Sequence, residues 1–381
     1  MRIEKIDGLL VGSDMMGVNY LLRITTDTGL TGVGQSGTWG FPDAVAKVVD
    51  HYASYLVGED PLRIEHIAQT LYRLRPFRGN VVSGALSAID IALWDIKGKH
   101  FGAPVWELLG GRYRDKVRLH LLLEGDGPDE IAKNARAAAD DGFTALKYDP
   151  IQAGFEDHSM ARLIEGARAM AAAGREAVGL DVDLIFELHR KLTPAQSIAV
   201  VGALAPFAPL FVEDPIQIDS IALQGELAKR YDVPLANGER LTTIWEFRDL
   251  FAAGGPQHVR PDLGMAGGLT GCRKIAALAE AHHSALVSHN FLGALLTAAS
   301  VHLDVAIPNF LTQEYTTLDE STRPPDALFK TDIRREGGYI RAPEGPGIGV
   351  AIDDDIAAQA APRYLDTGPL LRSDGSPAMA T

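Results

Sequence analysis

From Lys116 onward the chain alternates short apolar stretches with Ala-rich amphipathic ones about eight times, and no other feature limits the fold so strongly. The strand candidates are KVRLHLLLE, ALKYD, DLIFELH, LFVED, VPLANGE, HVRPDL, ALVSHN and NFLTQEY. Between them lie helix candidates such as PDEIAKNARAAADDG, ARLIEGARAMAAAG, TPAQSIAVVGALAP and GCRKIAALAEAHH. This rhythm is the signature of a parallel β/α barrel. A doubly wound open sheet is the competitor, but no G-x-G-x-x-G follows an early strand.

The strand ends carry the chemistry. Glu187, Glu213 and Glu239 end three consecutive strand candidates at intervals of 26 residues, the length of one β/α unit. A single Glu at such a place is ordinarily a solvated loop residue. Three in phase converge on the C-terminal mouth of a barrel, where they repel one another unless a cation lies between them. Oxygen donors of this kind select a hard ion such as Mg²⁺.

The series continues through Asp262, His289 and Glu314, 23, 27 and 25 residues apart. A carboxylate beside an imidazole on the next strand orients the ring and raises its basicity. Glu187 and His189 stand two residues apart, and positions i and i+2 of a strand share a face. Lys147 and Asp149 do the same on the second barrel strand, where Lys147 could offset substrate charge. No carboxylate partner for His189 is legible. Asp214 points away from Glu213 and is read as a structural partner. His258, His282 and His283 fall outside the series, as helix-end or surface residues.

Before the barrel, RIEKIDGLLVG and YLLRITTDTGLTGVGQ read as a small meander. SGALSAIDIALWDIKGKHFG reads as a helix from a Ser cap to about Gly98. PVWELLGG adds a short helix. The segment GGYIRAPEGPGIGV reads as packing back on the N-terminal part, with loose final residues. The domain boundaries so placed are 1–113, 114–320 and 321–381. A net charge of −14 disfavours nucleic acid and anionic membranes. The single Cys272 leaves no disulfide framework. No signal-peptide core or long apolar run is present, so a cytoplasmic protein is expected.

SAIDIALWDIKGKHFGAPVWELLGG, GERL, PDLGMAGGLTGCRKIAALAEAH and SHNFLGAL together resemble the enolase superfamily in its mandelate racemase-like branch, over nearly the whole chain. The resemblance implies an α/β protein, a modified (β/α)7β TIM-type barrel under an α+β capping domain. It implies abstraction of the proton α to a carboxylate, with the enediolate stabilised on Mg²⁺ held by Glu187, Glu213 and Glu239. Glu187-Leu188-His189 and the His289–Asp262 dyad are similar to those of galactonate- and gluconate-type sugar-acid dehydratases. His289, with Asp262 as its partner, is expected as the base, and His189, with no legible partner, as the acid for the leaving 3-hydroxyl. The two roles exchange if the substrate has the opposite C2 configuration. Glu314 is expected to assist at the substrate carboxylate, with a 2-keto-3-deoxy acid as product.

Lys147 followed by Asp149 departs from the paired lysines of racemases. Asn237 and Phe291 depart near the pocket. A racemase, epimerase or cycloisomerase on the same site is the alternative, and a non-catalytic binding barrel has no use for two histidines and a dyad. Segments 13–19 and 37–43 are expected as lid pieces, with Trp39 and Phe41 excluding water. Arg75 and Arg78 are expected to meet the distal end of the substrate, and Lys147 and Asp149 its near end. The expected partner is a small-molecule carboxylate, and the expected assembly a homo-oligomer.

Overall fold

The computed structural model describes residues 1–13, 17–320, 326–364 and 368–378. Strands β1 (Ile3–Ser13), β2 (Gly17–Thr26) and β3 (Thr31–Gln35) form an antiparallel meander. Residues 14–16 of the first lid segment lie outside the described residues. Helices α1 (Pro42–Leu56), α2 (Ile64–Arg73) and α3 (Asn80–Phe101) cover the meander, and α4 (Val105–Leu108) leads to the barrel. Helix α3 begins three residues before the expected Ser cap, so Ser83 lies inside it. It also runs through Gly98 to a left-handed Gly102. Gly98 is kept inside the helix because the C-terminal segment passes there: a Cβ would lie 2.6 Å from the Cα of Gly347.

Eight parallel strands then close on themselves. They are β4 (Lys116–Leu122), β5 (Ala145–Tyr148), β6 (Asp183–Glu187), β7 (Phe211–Glu213), β8 (Leu235–Asn237), β9 (His258–Val259), β10 (Ala285–Ser288) and β11 (Phe310–Tyr315). The ring is completed by β11 pairing with β4. The connecting helices are α5 (Pro128–Asp140), α6 (Met160–Val178), α7 (Pro194–Leu204), α8 (Ile221–Ala228), α9 (Ile244–Ala252), α10 (Gly268–Ala281) and α11 (Ala294–Ala306). This is the expected (β/α)7β barrel with a separate antiparallel domain.

Past the barrel come β12 (Phe329–Thr331), β13 (Arg335–Glu336), β14 (Tyr339–Arg341), β15 (Val350–Ile352) and α12 (Asp354–Gln359). Part of this segment reaches the meander, through Arg23 on Asp354 (2.6 Å) and Gly12 N–H on the Ala360 carbonyl. Another part lies on the barrel, where strand β14 pairs antiparallel with β4. Further on, Ser373 donates to Asp157 and a turn spans Arg372 to Ser376.

Inside the ring, Ile185, Phe211, Ala236 and Val287 form a small, fully buried apolar layer. Two residues beyond three of these lie Glu187, Glu213 and His289. The period of two that turns the apolar side chains inward turns these polar ones inward as well, one layer higher. On β8 the phase is adjusted by Gly238, whose φ of 126° brings Glu239 to the mouth.

The capping domain is joined to the barrel through α3 and the start of α10. Ser87 Oγ accepts the N–H groups of Gly267 (2.9 Å) and Gly268 (3.2 Å), and Asp90 Oδ2 accepts that of Thr270 (2.9 Å). Trp94 Nε1 donates to Thr270 Oγ1 (2.9 Å). Burial pushes the Asp90 carboxyl up to about 7, against the lowering effect of its Thr270 bonds. A raised folded-state value favours the protonated form. Its contribution to stability is present below about pH 4 and is lost as pH rises through about 7. Asp90→Asn keeps an acceptor without the charge. It is expected to unfold later than the parent at pH 8, by about 1 kcal/mol, with the gap closing towards pH 5 in denaturant titrations. A gap independent of pH would contradict a buried, titrating Asp90.

Candidate active site

The described residues contain one cluster with the chemistry of a cation site, Glu187, Glu213 and Glu239. Each is buried, and one carboxylate oxygen from each lies within 4.8 Å of the others. An ion with oxygen ligands at about 2.0–2.6 Å needs donors about 4–5 Å apart, so the triad fits a hard divalent cation. Burial opposes the charged form of Glu187, yet the positive charges of His189 and Lys147 outweigh it and hold the carboxyl below its ordinary range. Burial raises Glu213 well above that range, with the Arg260 charge opposing. For Glu239, the charges of His289 and Arg190 overcome burial and lower it.

Two imidazoles flank the triad from opposite sides, on strands four apart in the ring of eight. Asp262 and His289 follow β9 and β10 and form an isolated parallel bridge. His289 Nδ1–H donates to Asp262 Oδ2 at 2.7 Å, and Asp262 Oδ1 accepts the Gly264 N–H at 2.6 Å. That leaves Nε2 of His289 facing Glu239 (3.3 Å) and Glu314 (3.8 Å). Phe291 packs against the ring, with centroids 5.3 Å apart.

On the other side, β6 ends at Glu187, and His189 and Arg190 take left-handed φ values of 48° and 62°. Glu187 and His189 therefore share the mouth through a turn held by the His189 N–H on Glu187 Oε1 (2.8 Å), not through strand alternation. His189 does have a partner, which corrects the expectation: its Nδ1–H donates to Asp149 Oδ2 at 2.7 Å. Asp149 also receives Lys191 Nζ (2.5 Å) and the Ile151 N–H (2.7 Å). A carboxylate with three donors already in place orients His189, and Asp149 also lines the cavity at the mouth. Burial disfavours imidazolium at His189, but Glu187 and Asp149 more than offset it and raise the pKa above the ordinary histidine value.

Lys147 is buried among the carboxylates, with Nζ 3.2 Å from Glu187, 3.4 Å from Glu213 and 2.5 Å from Glu314. It also lines the cavity of about 320 Å³ at the mouth, together with His189, His289 and Trp39. Three arginines that the sequence pattern does not single out complete the site. Arg260, 0% exposed, meets Glu213 (2.5 Å) and Glu314 (2.7 Å). Arg190 bridges Asp214 (3.1 Å) and Glu239 (2.6 Å), and Arg240 reaches Glu239 (3.2 Å). The signal for Arg260 is its place two residues before Asp262. Arg190 and Arg240 directly follow His189 and Glu239.

Asp214 is a structural partner as expected, accepting from Arg190 and from Asn237 Nδ2 (2.7 Å), which also accounts for the unusual Asn237. His258 is not a surface residue. It lies on β9, and burial lowers its pKa to about 4. Arg75 and Arg78 are exposed and line neither chamber of the mouth. The turn from α2 to α3 presents Asn80 and Val81 to the site, while Arg75 and Arg78 are exposed. Trp39 borders the cavity, whereas Phe41 is 66% exposed and lines only the adjoining chamber.

A family model described as Enolase C-terminal domain-like matches residues 130–356. Another, Mandelate racemase / muconate lactonizing enzyme, N-terminal domain, matches residues 15–110. The chain belongs to this family of the enolase superfamily. It is an enzyme of the dehydratase (hydro-lyase) kind. It is 36% identical to a D-galactonate dehydratase of Ralstonia pickettii (strain 12J) over 363 residues, covering 93% of this chain and 94% of the relative. It is 37% identical to a D-galactonate dehydratase of Xanthomonas oryzae pv. oryzae (strain PXO99A), with 93% and 94% covered. An enolase from Agrobacterium radiobacter, described as a candidate galactarate dehydratase and solved with Na and L-malate bound, superposes with a TM-score of 0.92. It has 30% identity and full coverage of both chains.

Removing Arg260 leaves two buried carboxylates, Glu213 and Glu314, to share the single charge of Lys147. Arg260→Met is expected to cost about 3–5 kcal/mol of stability, read as a lower urea midpoint, with part of the loss recovered on adding a divalent cation. An unchanged midpoint would show that Arg260 does not balance Glu213 and Glu314.

Proposed function

We propose that this family member is a Mg²⁺-dependent dehydratase of a sugar acid, an aldonate or aldarate, that forms a 2-keto-3-deoxy acid. The observation that carries the proposal is the pair of imidazoles, each held on its own carboxylate, facing each other across the acidic triad. Support comes also from the D-galactonate dehydratases to which the chain is similar over most of its length.

Removing the proton α to a carboxylate places a second negative charge on that group. Glu187, Glu213 and Glu239 would hold Mg²⁺, which when bound supplies the positive charge that stabilises it. Lys147, kept charged by Glu213, Glu314 and Glu187 despite its burial, adds a fixed cation beside the substrate carboxylate. His289 Nε2, with Nδ1–H committed to Asp262, takes the C2 proton. Asp262 holds the tautomer and stabilises the imidazolium that forms. His189 Nε2–H protonates the 3-hydroxyl as its C–O bond breaks, releasing water and leaving an enol that takes a proton at C3. The carboxylates around His189 favour its protonated form, which suits a donor. Glu314, held by Arg260 and by the Asn290 N–H (3.2 Å), lies within reach of the substrate carboxylate.

The roles are separated in D₂O. The His189→Asn variant is expected to exchange the C2 proton while forming little keto acid, and His289→Asn to do neither. The reverse pattern would exchange the two roles. Inversion at C2 without loss of water would replace the dehydratase with the racemase alternative. Glu213→Gln is expected to keep its far-UV circular dichroism and lose both calorimetric Mg²⁺ binding and nearly all turnover. Turnover that survives exhaustive chelation would contradict the metal-dependent step.

A further inference from the structure

The mouth has two adjoining chambers that share part of their lining, and the chemistry above uses only one. The reacting chamber, of about 320 Å³, contains the carboxylates and both imidazoles. A second, of about 460 Å³, shares Trp39, Arg190 and Arg240 with it. Both volumes are within the range of about 300–1,000 Å³ usual for small-molecule sites. The linings differ in charge. Among the described residues, the second chamber is lined by two arginines, the neutral polar side chains Thr38, Asn80 and Gln217, and no carboxylate.

The two arginines are not equally engaged. Arg190 is 5% exposed and bridges Asp214 and Glu239. Arg240 is 18% exposed, with one ion pair through a terminal nitrogen to Glu239 at 3.2 Å. Its guanidinium carbon lies 5.6 Å from the centroid of the Trp39 ring. A guanidinium has five N–H donors in a fixed fork that matches a carboxylate, and an aromatic face restricts its orientation. Arg240 thus lines both chambers, and among the described residues its one ion pair leaves donors of its fork for a ligand.

We propose that the second chamber receives the distal end of a dicarboxylate substrate, and that Arg240 is the residue that selects its second carboxylate. This rests on the sugar-acid dehydratase reading and narrows it from sugar acids in general to aldarates. The α-carboxylate lies at the triad, the hydroxylated carbons pass Trp39, and the far carboxylate meets Arg240. A neutral hydroxymethyl end would use the cationic chamber less well, because a charged acceptor makes the stronger bond to a guanidinium. The distal role moves from the exposed Arg78 to a residue built into the barrel.

The test compares kcat/KM for aldarates and for aldonates of the same configuration, in the parent enzyme and in Arg240→Met and Arg240→Lys. The parent is expected to prefer the aldarate. Arg240→Met should reduce that preference about 10- to 100-fold, and Arg240→Lys, which keeps the charge but loses the fork, by less. Calorimetric Mg²⁺ titration of each variant checks that Glu239 is undisturbed. Equal or better use of aldonates by the parent, or a ratio unchanged in Arg240→Met, would overturn the inference and leave the dehydratase reading standing. If no acid is turned over, that reading fails, and calorimetric binding of adipate against hexanoate decides the subsite alone. Preference for adipate that disappears in Arg240→Met supports it, and equal binding refutes it.

Discussion

Buried carboxylates crowded at one end of a closed barrel are the constraint around which the rest is arranged. Glu187, Glu213, Glu239, Glu314 and Asp214 are all 3% exposed or less. A buried carboxylate without a partner is too costly to persist as an anion. Lys147, Arg190 and Arg260 provide the compensation, and each touches at least two of the acids. The arrangement retains a negative excess at the triad, where a divalent cation fits. The apolar layer of Ile185, Phe211, Ala236 and Val287 lies in the barrel interior below these groups.

The same geometry separates the two imidazoles. A strand four places away in a ring of eight lies across the mouth, so residues following β6 and β10 face one another with the triad between them. Each ring is fixed by a carboxylate from the preceding strand end, Asp149 for His189 and Asp262 for His289. The capping domain encloses one side through Trp39. It is attached to the barrel by Ser87 and Asp90, which bind N–H groups at the start of α10. Placement of the two imidazoles therefore depends on the strand ends, beside a domain joined by a polar seam.

Much of this is legible in the sequence for a simple reason. Barrel units repeat at nearly constant length and strands alternate with period two, so spacing alone brings Glu187, Glu213, Asp262, His289 and Glu314 into phase. The Asp149–His189 pair is not legible, because it joins neighbouring strand ends across a turn of positive φ that alternation does not describe. Arg190 and Arg240 are hidden because a long cation beside a functional residue reads as solvated. Arg190 is drawn in by acids of other strands, Asp214 and Glu239, and Arg240 by the neighbouring Glu239. Chain order likewise does not say which residues of the α2–α3 turn face the mouth, where Asn80 and Val81 line the second chamber.

The central claim is that Mg²⁺ and two opposed histidines together remove water from a sugar acid. It is tested most directly by proton NMR on the parent enzyme, stripped of metal and then reconstituted, with stereoisomeric aldonates and aldarates in D₂O. The account predicts a 2-keto-3-deoxy acid carrying solvent deuterium at C3, formed only after Mg²⁺ is restored. Product formed at an undiminished rate by the stripped enzyme, or substrates inverted at C2 and never dehydrated, would contradict it.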